Sequence, residues 1–330
     1  MTSKIPTITL NNGANTPSIG YGTWQALDEE LERALETALE AGYRHIDTAY
    51  VYQNEKVIGK VLKRWISNGK LKREDIFLVT KLPPAGNRPE GVVKYLKRSL
   101  ENLQVDYVDL YLIHAPFGLP DFEGDFPPKG NDGNVILDMS TDHIAIWKAL
   151  EEQVDAGRTK AIGLSNFNKS QIERILKNSR IKPCALQIEQ HVYLQQKELV
   201  DLCKENNILV TAYSPLGTPG MNKYFGKRGI KVDLPDILGN PAVKAIAKKH
   251  SKTEAQVLLH FYVQQGWLPI PKSVNPERIR QNLDIFDFQL DQQDVKELKS
   301  LDAGIRILDF GPFTGVDKHP EFPFKNEKQK

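Results

Sequence analysis

Four polar residues lie at or just beyond the ends of apolar, strand-like runs. Asp47 and Lys81 each end one run, and His114 ends a third. Tyr52 follows Asp47 by five residues.

A free phenol has a pKa of about 10 and is too weak an acid for pH 7. A lysine ammonium about 4 Å away would stabilise the phenolate by up to about 4 kcal/mol at an effective dielectric constant of 20. We therefore interpret Tyr52 as a proton donor whose pKa Lys81 lowers. Asp47 would keep Lys81 charged, and His114 would orient a substrate carbonyl group.

Each of these four residues also has an ordinary structural explanation, and the sequence leaves it open. An aspartate at a strand end commonly caps a helix, and a tyrosine beyond it commonly packs in a core. A lysine at a strand end is usually solvated, and a lone histidine is usually a core residue. His45 is interpreted in that way, as a packing residue. The proton-donor hypothesis depends on all four side chains meeting in one place.

A second polar group follows the last strand-like run and suits a phosphorylated ligand. Lys272 and Ser273 come directly after that run. Asn275 and Pro276 are typical of the cap and first residue of a helix, on which Arg278 would lie in the first turn. A helix N-terminus beside two cations and a hydroxyl group favours anion binding. The alternative is a capped surface helix without a ligand.

A third set consists of Ser165, Asn166, Gln187 and Tyr213, which all lie at predicted strand ends. The first three would satisfy the hydrogen bonds of a planar amide, and the tyrosine would stack on an aromatic ring. Ordinary turn residues are the alternative. The seven histidines are scattered, and no grouping of His, Cys and carboxylate residues has metal-ligand spacing, so we expect no metal.

These three groups meet only if strand ends that are distant in sequence converge. Apolar, β-branched runs alternate with amphipathic helical stretches, a pattern that favours parallel β-α units. We predict eight strands, at 19–22, 44–47, 76–80, 107–113, 160–164, 184–188, 208–213 and 267–271. We predict helices from Asp28 to Gly42 and at 55–68, 89–103, 143–156, 169–178, 195–206, 241–249, 254–265, 276–282 and 291–300.

Eight such units predict a closed (β/α)8 TIM barrel of the α/β class, preceded by an N-terminal β-hairpin over residues 5–19. An open doubly wound sheet is the main alternative. Two long loops, 117–142 and 214–239, follow strands and would lie at the C-terminal mouth of the barrel, where active sites form. The aromatic tail, 302–330, is long enough to fold over that mouth. We predict one domain over residues 1–330, with these loops and the tail shaping the active site.

Composition limits the function classes. The 330 residues include 44 Lys and Arg and 42 Asp and Glu, and 40% of them are hydrophobic. These globular values exclude a disordered, collagenous or coiled-coil chain. A net charge of +2 is too small to indicate a nucleic-acid or membrane partner. Two cysteines do not form a disulfide framework, and residues 1–10 lack the features of a signal peptide. We therefore expect a cytoplasmic protein.

At this point the motifs resemble those of the aldo-keto reductases, in particular the branch of aldose reductase and aldehyde reductase. The three longest matching stretches are 42–55, 106–114 and 270–282. Shorter matches lie at 22–24, 165–167, 187–189 and 212–217. The resemblance extends over about residues 5–324. It implies a (β/α)8 barrel that binds NADPH or NADP+ without a Rossmann domain.

The resemblance also implies roles for residues by position. Tyr52 matches the family's general acid, Lys81 and Asp47 match the residues that lower its pKa, and His114 matches the carbonyl-orienting histidine. The implied cofactor-binding residues are Thr23, Trp24, Asp47, Ser165, Asn166, Gln187, Tyr213, Ser214, Leu216, Lys272, Ser273, Val274, Arg278, Gln281 and Asn282. The expected substrate pocket is largely apolar and includes Trp24, Tyr52, His114 and Phe122.

Three residues depart from the aldose reductase pattern. Ala115 stands where a tryptophan is usual and predicts a wider pocket. Gly220 replaces an aspartate that helps to clasp the cofactor, and Gln281 replaces a glutamate that meets adenine. None of these changes removes a catalytic group.

The residues predict a reductase of small-molecule aldehydes and ketones, and the resemblance implies that it uses NADPH and is a monomer. One alternative is a non-catalytic NADPH-binding protein with a structural or regulatory role. Another is a phosphosugar isomerase on the same barrel, which would turn over without a cofactor.

Overall fold

A computed structural model describes residues 5–121, 127–221 and 234–325. The chain begins with an antiparallel hairpin, β1 (Thr7–Thr9) and β2 (Asn15–Pro17). The side chain of Asn11 donates to the carbonyl of Pro183 at 2.7 Å, and that of Asn12 donates to the carbonyl of Lys160 at 3.1 Å. Both acceptors lie beside the beginnings of later strands. The hairpin predicted from the sequence therefore covers the amino-terminal end of the sheet.

Eight parallel strands form one sheet in sequential order. They are β3 (Tyr21–Gly22), β4 (His45–Asp47), β5 (Phe77–Leu82), β6 (Val108–Ile113), β7 (Thr159–Ser165), β8 (Ala185–Glu189), β9 (Leu209–Tyr213) and β10 (Leu268–Pro269). The amides of Gly20 and Gly22 donate to the carbonyls of Pro269 and Pro271, both at 3.0 Å. The first strand thus bonds to the last, and the curved sheet closes as predicted.

Ten α-helices lie in the described ranges, and they fall where the sequence predicts them. They are α1 (Asp28–Ala41), α2 (Glu55–Ser67), α3 (Pro89–Leu103), α4 (His143–Asp155), α5 (Lys169–Asn178), α6 (Lys197–Glu205), α7 (Pro241–His250), α8 (Glu254–Gln264), α9 (Pro276–Leu283) and α10 (Gln292–Ser300). None of the helices in these ranges is both long and apolar enough to cross a bilayer.

Successive residues of each strand face opposite sides, which produces two cores. Outward residues such as Leu78 and Tyr111 pack against the helices in the larger core. Inward residues such as Phe77, Val79 and Leu110 form a smaller core inside the barrel. Polar residues that continue the inward rows at the carboxyl ends of the strands therefore face the mouth.

The tail packs against the loop that follows β6. The ring of Phe117, in the loop after β6, meets Phe310 edge-on at 4.9 Å between centroids. Phe310 in turn stacks on Phe324 at 5.6 Å. The amide of Val135 donates to the carbonyl of Thr314 at 2.8 Å. An aromatic cluster therefore joins the loop after β6 to the tail.

Candidate active site

The alternation of strand residues explains how the four candidate catalytic residues meet. Lys81 continues the inward row of Phe77 and Val79 on β5, and Asp47 shares the inward face of β4 with His45. His114 follows the inward residues of β6 by the same spacing. Tyr52 ends a single 3₁₀ turn, Tyr50–Tyr52, directly after β4. All four side chains therefore lie at the C-terminal mouth.

Lys81 is the centre of this site. Its side chain is fully buried, and its Nζ donates to Asp47 Oδ1 at 2.6 Å and to the Thr48 carbonyl at 2.8 Å. The third contact of Nζ is the Tyr52 hydroxyl at 3.3 Å. Gln187 donates to the other oxygen of Asp47 at 2.7 Å. The ammonium group is therefore oriented by fixed partners and has its remaining contact at the phenol.

The ionisation of Tyr52 differs from the sequence-based expectation. Burial, and then the negative charge of Asp47, raise the pKa of Tyr52 well above its usual value. Burial also lowers the pKa of Lys81, and the Asp47 carboxylate opposes that shift. This net direction is opposite to the expected lowering, because burial disfavours the charged phenolate, and the role of Lys81 in stabilising that phenolate stays a prediction. The phenol is protonated at neutral pH.

His114 lies beside Tyr52 with the two rings edge-on and 5.6 Å between centroids. Burial, reinforced by the positive charge of Lys81, lowers the pKa of His114 well below its usual value. The imidazole is therefore neutral at pH 7 and has one N–H donor. His45, which the sequence assigned to packing, faces the opposite end of the barrel, where Nδ1 meets the Thr16 hydroxyl at 2.8 Å.

The set expected to bind an amide and an aromatic ring also converges. Tyr213 donates from its hydroxyl to Asn166 Oδ1 at 2.7 Å. Asn166 donates in turn to the His114 carbonyl at 2.8 Å and to Ser165 Oγ at 3.1 Å. Asn166 has a φ of 64°, in the left-handed region that asparagine tolerates better than most residues. Ser165 and Gln187 are register partners on β7 and β8. The structure thus brings these four residues together around the mouth.

The predicted anion-binding group surrounds the beginning of α9. Asn275 caps this helix by accepting from the Arg278 amide at 3.0 Å, and Pro276 is its first residue. Lys272 and Ser273 precede the cap and are half-buried, whereas Arg278 is exposed. The cap and its proline were predicted correctly. The group presents two cations and a hydroxyl group at a helix N-terminus, which is a chemical fit for a phosphate.

The other predicted cofactor-binding residues lie along the same side of the barrel. Thr23 Oγ1 donates to the Asp47 carbonyl at 2.9 Å, and Trp24 next to it is half-buried. Ser214 and Leu216 follow β9. Val274 is half-buried before α9, and Asn282 within that helix is buried. No contact tests the role of these residues, which stay predictions.

The three departures from the family pattern have definite positions. Ala115 is 2% exposed and packs in the cluster of Phe117 and Phe322, so its methyl group lies within packed side chains and not at an opening. Gly220 is exposed. Gln281 donates to Glu277 at 3.0 Å on α9. Phe122, predicted to line the substrate pocket, lies outside the described residues.

Sequence reasoning missed one buried carboxylate at this mouth. Glu189 ends β8 on the same face as Gln187 and is fully buried. Its partners include the amides of Ile307 and Leu308, more than 100 residues away. An ionisable residue at the end of an apolar strand was the available signal, and it is the signal that identified Asp47 and Lys81.

Within the described ranges, no cluster of three or more His, Cys, Asp and Glu residues is arranged to hold a metal ion. The amide-binding and anion-binding sets have the donors and acceptors to hold an organic cofactor. The sets lie at the ends of different strands around one mouth. Their order suits an extended ligand with a planar amide near Lys81 and a phosphate near α9.

Comparison with known proteins agrees with this geometry. A sequence profile described as the aldo/keto reductase family matches residues 13–303. Over 99% of this chain and the whole of each relative, the sequence is 41% identical to aldo-keto reductase family 1 member C1 of Macaca fuscata fuscata, 41% identical to prostaglandin F synthase 1 of Bos taurus and 42% identical to dihydrodiol dehydrogenase 3 of Bos taurus. The aldose reductase of Schistosoma japonicum is similar in structure, with a TM-score of 0.88 and 41% identity over 98% of this chain and 100% of that chain.

Proposed function

This chain belongs to the aldo/keto reductase family, and from that premise we propose that it reduces aldehydes and ketones to alcohols with NADPH, with Tyr52 as the proton donor. Carbonyl reduction by a nicotinamide-dependent oxidoreductase follows from the family and its named enzyme relatives. The choice of NADPH, and the role of each residue, are our proposals. The prediction of the family from sequence motifs is confirmed.

One observation carries the proposal. The buried Lys81 ammonium contacts both the Asp47 carboxylate and the Tyr52 hydroxyl group. A buried ion pair has a substantial desolvation cost and is weak evidence for a purely stabilising role. Here the Lys81 member of the pair instead places a fixed positive charge beside the Tyr52 hydroxyl group.

Tyr52 holds its proton at neutral pH because its pKa is raised by burial. As the proton passes to the carbonyl oxygen, Lys81 Nζ stabilises the phenolate that forms. This interaction is therefore stronger in the transition state than in the ground state. Asp47 keeps Lys81 oriented and charged. The neutral His114 ring donates one N–H to the carbonyl oxygen and positions it beside the phenol.

NADPH would supply the hydride that reduces the carbonyl carbon. Ser165, Asn166 and Gln187 have the donors and acceptors that a carboxamide needs, and Tyr213 offers an aromatic face beside them. The remaining expected cofactor residues follow β3, β9 and β10. Lys272, Ser273 and Arg278 offer two positive charges and a hydroxyl group at the α9 N-terminus, which favours a ligand with an additional phosphate, NADPH over NADH.

The non-catalytic alternative is not favoured, because a pure binding protein needs no buried ammonium beside a protonated phenol. A phosphosugar isomerase would turn over without NADPH, so the same assay separates it. We further propose that the enzyme is a cytoplasmic monomer of one domain, that its substrates are small molecules with apolar bodies, and that Trp24 and Phe122 line their pocket.

The test is the Tyr52→Phe variant, which removes only the hydroxyl group. We expect NADPH oxidation with propanal to fall by at least about a thousandfold, while NADPH still binds with near wild-type affinity by fluorescence titration. Tyr50→Phe, which changes the neighbouring tyrosine of the same turn, is the matched control and should retain activity. Reduction by Tyr52→Phe at a near wild-type rate would show that another group is the acid.

A further inference from the structure

Glu189 is a buried carboxylate at the mouth that the proposed reaction does not use. It ends β8, and its Cα is the register partner of Tyr213 on β9. Its two oxygens are divided among separate donors. Oε1 lies 2.9 Å from His191 Nε2 and accepts from the Ile307 amide at 2.7 Å. Oε2 accepts from the Leu308 amide at 2.7 Å.

These contacts fix the backbone of the tail at one point. The side chains of Glu189 and His191 are fully buried, and Ile307 is 8% exposed. Hydrogen bonds from amides to a buried carboxylate are charge-assisted and stronger than those to a neutral acceptor. Without the carboxylate, the buried amide of Ile307 and the partly buried amide of Leu308 would lose their acceptor. The position of Ile307 and Leu308 therefore depends on Glu189.

The anchored residues continue directly into the mouth. Ile307 and Leu308 pack against Met221 and Leu234, which flank the part of the loop after β9 that the structure does not describe. Two residues farther along, Phe310 meets Phe117 edge-on. Phe117 lies three residues after His114 in sequence. A shift of the backbone at 307–308 would therefore reach the aromatic cluster of the loop after β6, which begins three residues beyond His114.

Other anchors hold the tail on either side of this point. The Tyr193 carbonyl accepts from the amides of Ala303 at 3.2 Å and Ile305 at 2.9 Å. Near the chain end, Arg174 binds both oxygens of Glu321, at 2.8 and 2.7 Å. Loss of the Glu189 carboxylate therefore removes the acceptor for Ile307 and Leu308 and leaves the anchors on either side in place.

We propose that Glu189 is a positioning residue that sets substrate selectivity, by fixing Ile307 and Leu308 so that the tail forms one wall of the substrate pocket. This inference rests on the proposed function only for the identity of the mouth as the substrate site. Among the described residues, the Glu189 carboxylate forms no hydrogen bond or ion pair with Lys81, Asp47 or Tyr52, so the proton-donating group stays intact when the carboxylate is removed. Removing the carboxylate should weaken the binding of a large substrate.

The experiment compares Glu189→Ala and Glu189→Gln with the wild-type enzyme on three aldehydes of increasing size: propanal, benzaldehyde and 2-naphthaldehyde. Glutamine keeps one oxygen for one of the two amides and places an N–H₂ group beside the other. We therefore expect a graded effect, with the glutamine variant between the wild type and the alanine variant. Glu198→Gln, on the exposed carboxylate that pairs with Lys169, is the matched control.

For Glu189→Ala we expect kcat/KM for 2-naphthaldehyde to fall by at least about tenfold through KM, and kcat for propanal to stay within about threefold of wild type. Hydrogen exchange should rise in the peptide that spans 303–310, and NADPH affinity should stay near its wild-type value. The exchange measurement needs no turnover. It therefore tests the anchor even if the proposed function fails, which would appear as a wild-type enzyme inactive on all three aldehydes.

Two outcomes would overturn the inference. One is unchanged exchange at 303–310 in Glu189→Ala, which would mean that the carboxylate does not fix the tail. The other is faster exchange with an equal loss of kcat/KM for all three aldehydes, which would assign Glu189 to general stability. If the alanine variant does not fold, the glutamine variant decides on the same criteria.

Discussion

Removal of the Lys81 charge tests how the proposed acid works, and the structure gives the size of the effect. Nζ lies 3.3 Å from the Tyr52 oxygen, where at an effective dielectric constant of 20 it stabilises a phenolate by about 5 kcal/mol. Asp47 lies at most about 6 Å from that oxygen, the sum of the 2.6 Å and 3.3 Å contacts, and opposes the phenolate by at least about 3 kcal/mol. The ion pair as a whole thus contributes at most about 2 kcal/mol, or about 30-fold in rate.

Removing Lys81 alone and removing both charges should therefore have different effects on kcat/KM and on stability. Lys81→Met leaves the Asp47 carboxylate buried with Gln187 as a remaining donor, so we expect a loss of about a thousandfold or more in kcat/KM and about 3 kcal/mol in the free energy of unfolding. Lys81→Met combined with Asp47→Asn removes both charges. We expect this double variant to lose only about 30-fold and to be more stable than the single variant.

The assay is kcat/KM for propanal at saturating NADPH, together with denaturant unfolding of each variant. Lys169→Met, which removes an exposed lysine from its pair with Glu198, is the control and should change neither quantity. The reasoning is refuted if the double variant is no more active than Lys81→Met. It is also refuted if Lys81→Met stays within about threefold of the wild type.

Three further predictions concern pH, cofactor choice and barrel closure. The pKa of His114 is lowered and that of Tyr52 is raised, so the neutral imidazole and the protonated phenol coexist across neutral pH. We therefore expect kcat/KM for aldehyde reduction to be constant from about pH 6 to 9. A fall in kcat/KM with a midpoint near pH 6.5 would contradict these assignments. Arg278→Ala should weaken NADPH about tenfold and leave NADH unchanged, as measured by fluorescence titration, and equal losses for both would argue against a phosphate contact. A Cβ at Gly22 would lie 2.7 Å from the Ile270 carbonyl oxygen, so Gly22→Ala should lower the free energy of unfolding by about 1–3 kcal/mol. At Gly220 a Cβ would meet nothing within 4 Å, so Gly220→Ala should be close to neutral, and equal effects at the two glycines would contradict the packing argument.

Much of the fold was predictable because its signals are local. The alternation of apolar runs with amphipathic helices identified the strands and helices. Asn275 and Pro276, a typical cap and first helical residue, identified the beginning of α9. Closure of the barrel was inferred from the number of units alone. The amide contacts of Gly20 and Gly22 that complete it join residues about 250 positions apart, which no local pattern reveals.

The site was predictable where a polar residue continues an inward row, as Lys81 and Asp47 do. The ionisation of Tyr52 was not, because its pKa depends on how completely the folded chain removes the phenol from water. Glu189 carried the same strand-end signal as Asp47, but its role depends on donors in a tail more than 100 residues away. The filling of the space beside Ala115 also required the tail, since Phe322 lies over 200 positions later.

The order of the proposed functional residues along the chain divides the enzyme into two parts with separate tasks. The acid and its supporting groups all precede residue 115, whereas most of the expected ligands of the cofactor follow residue 164. The side-chain bonds that cross between these parts at the mouth include those from Gln187 to Asp47 and from Asn166 to His114. Recombination between related barrels at the loop after β6 would therefore exchange nucleotide preference and tail while inheriting the proton chemistry whole, provided that the incoming half brings a glutamine and an asparagine to those two positions.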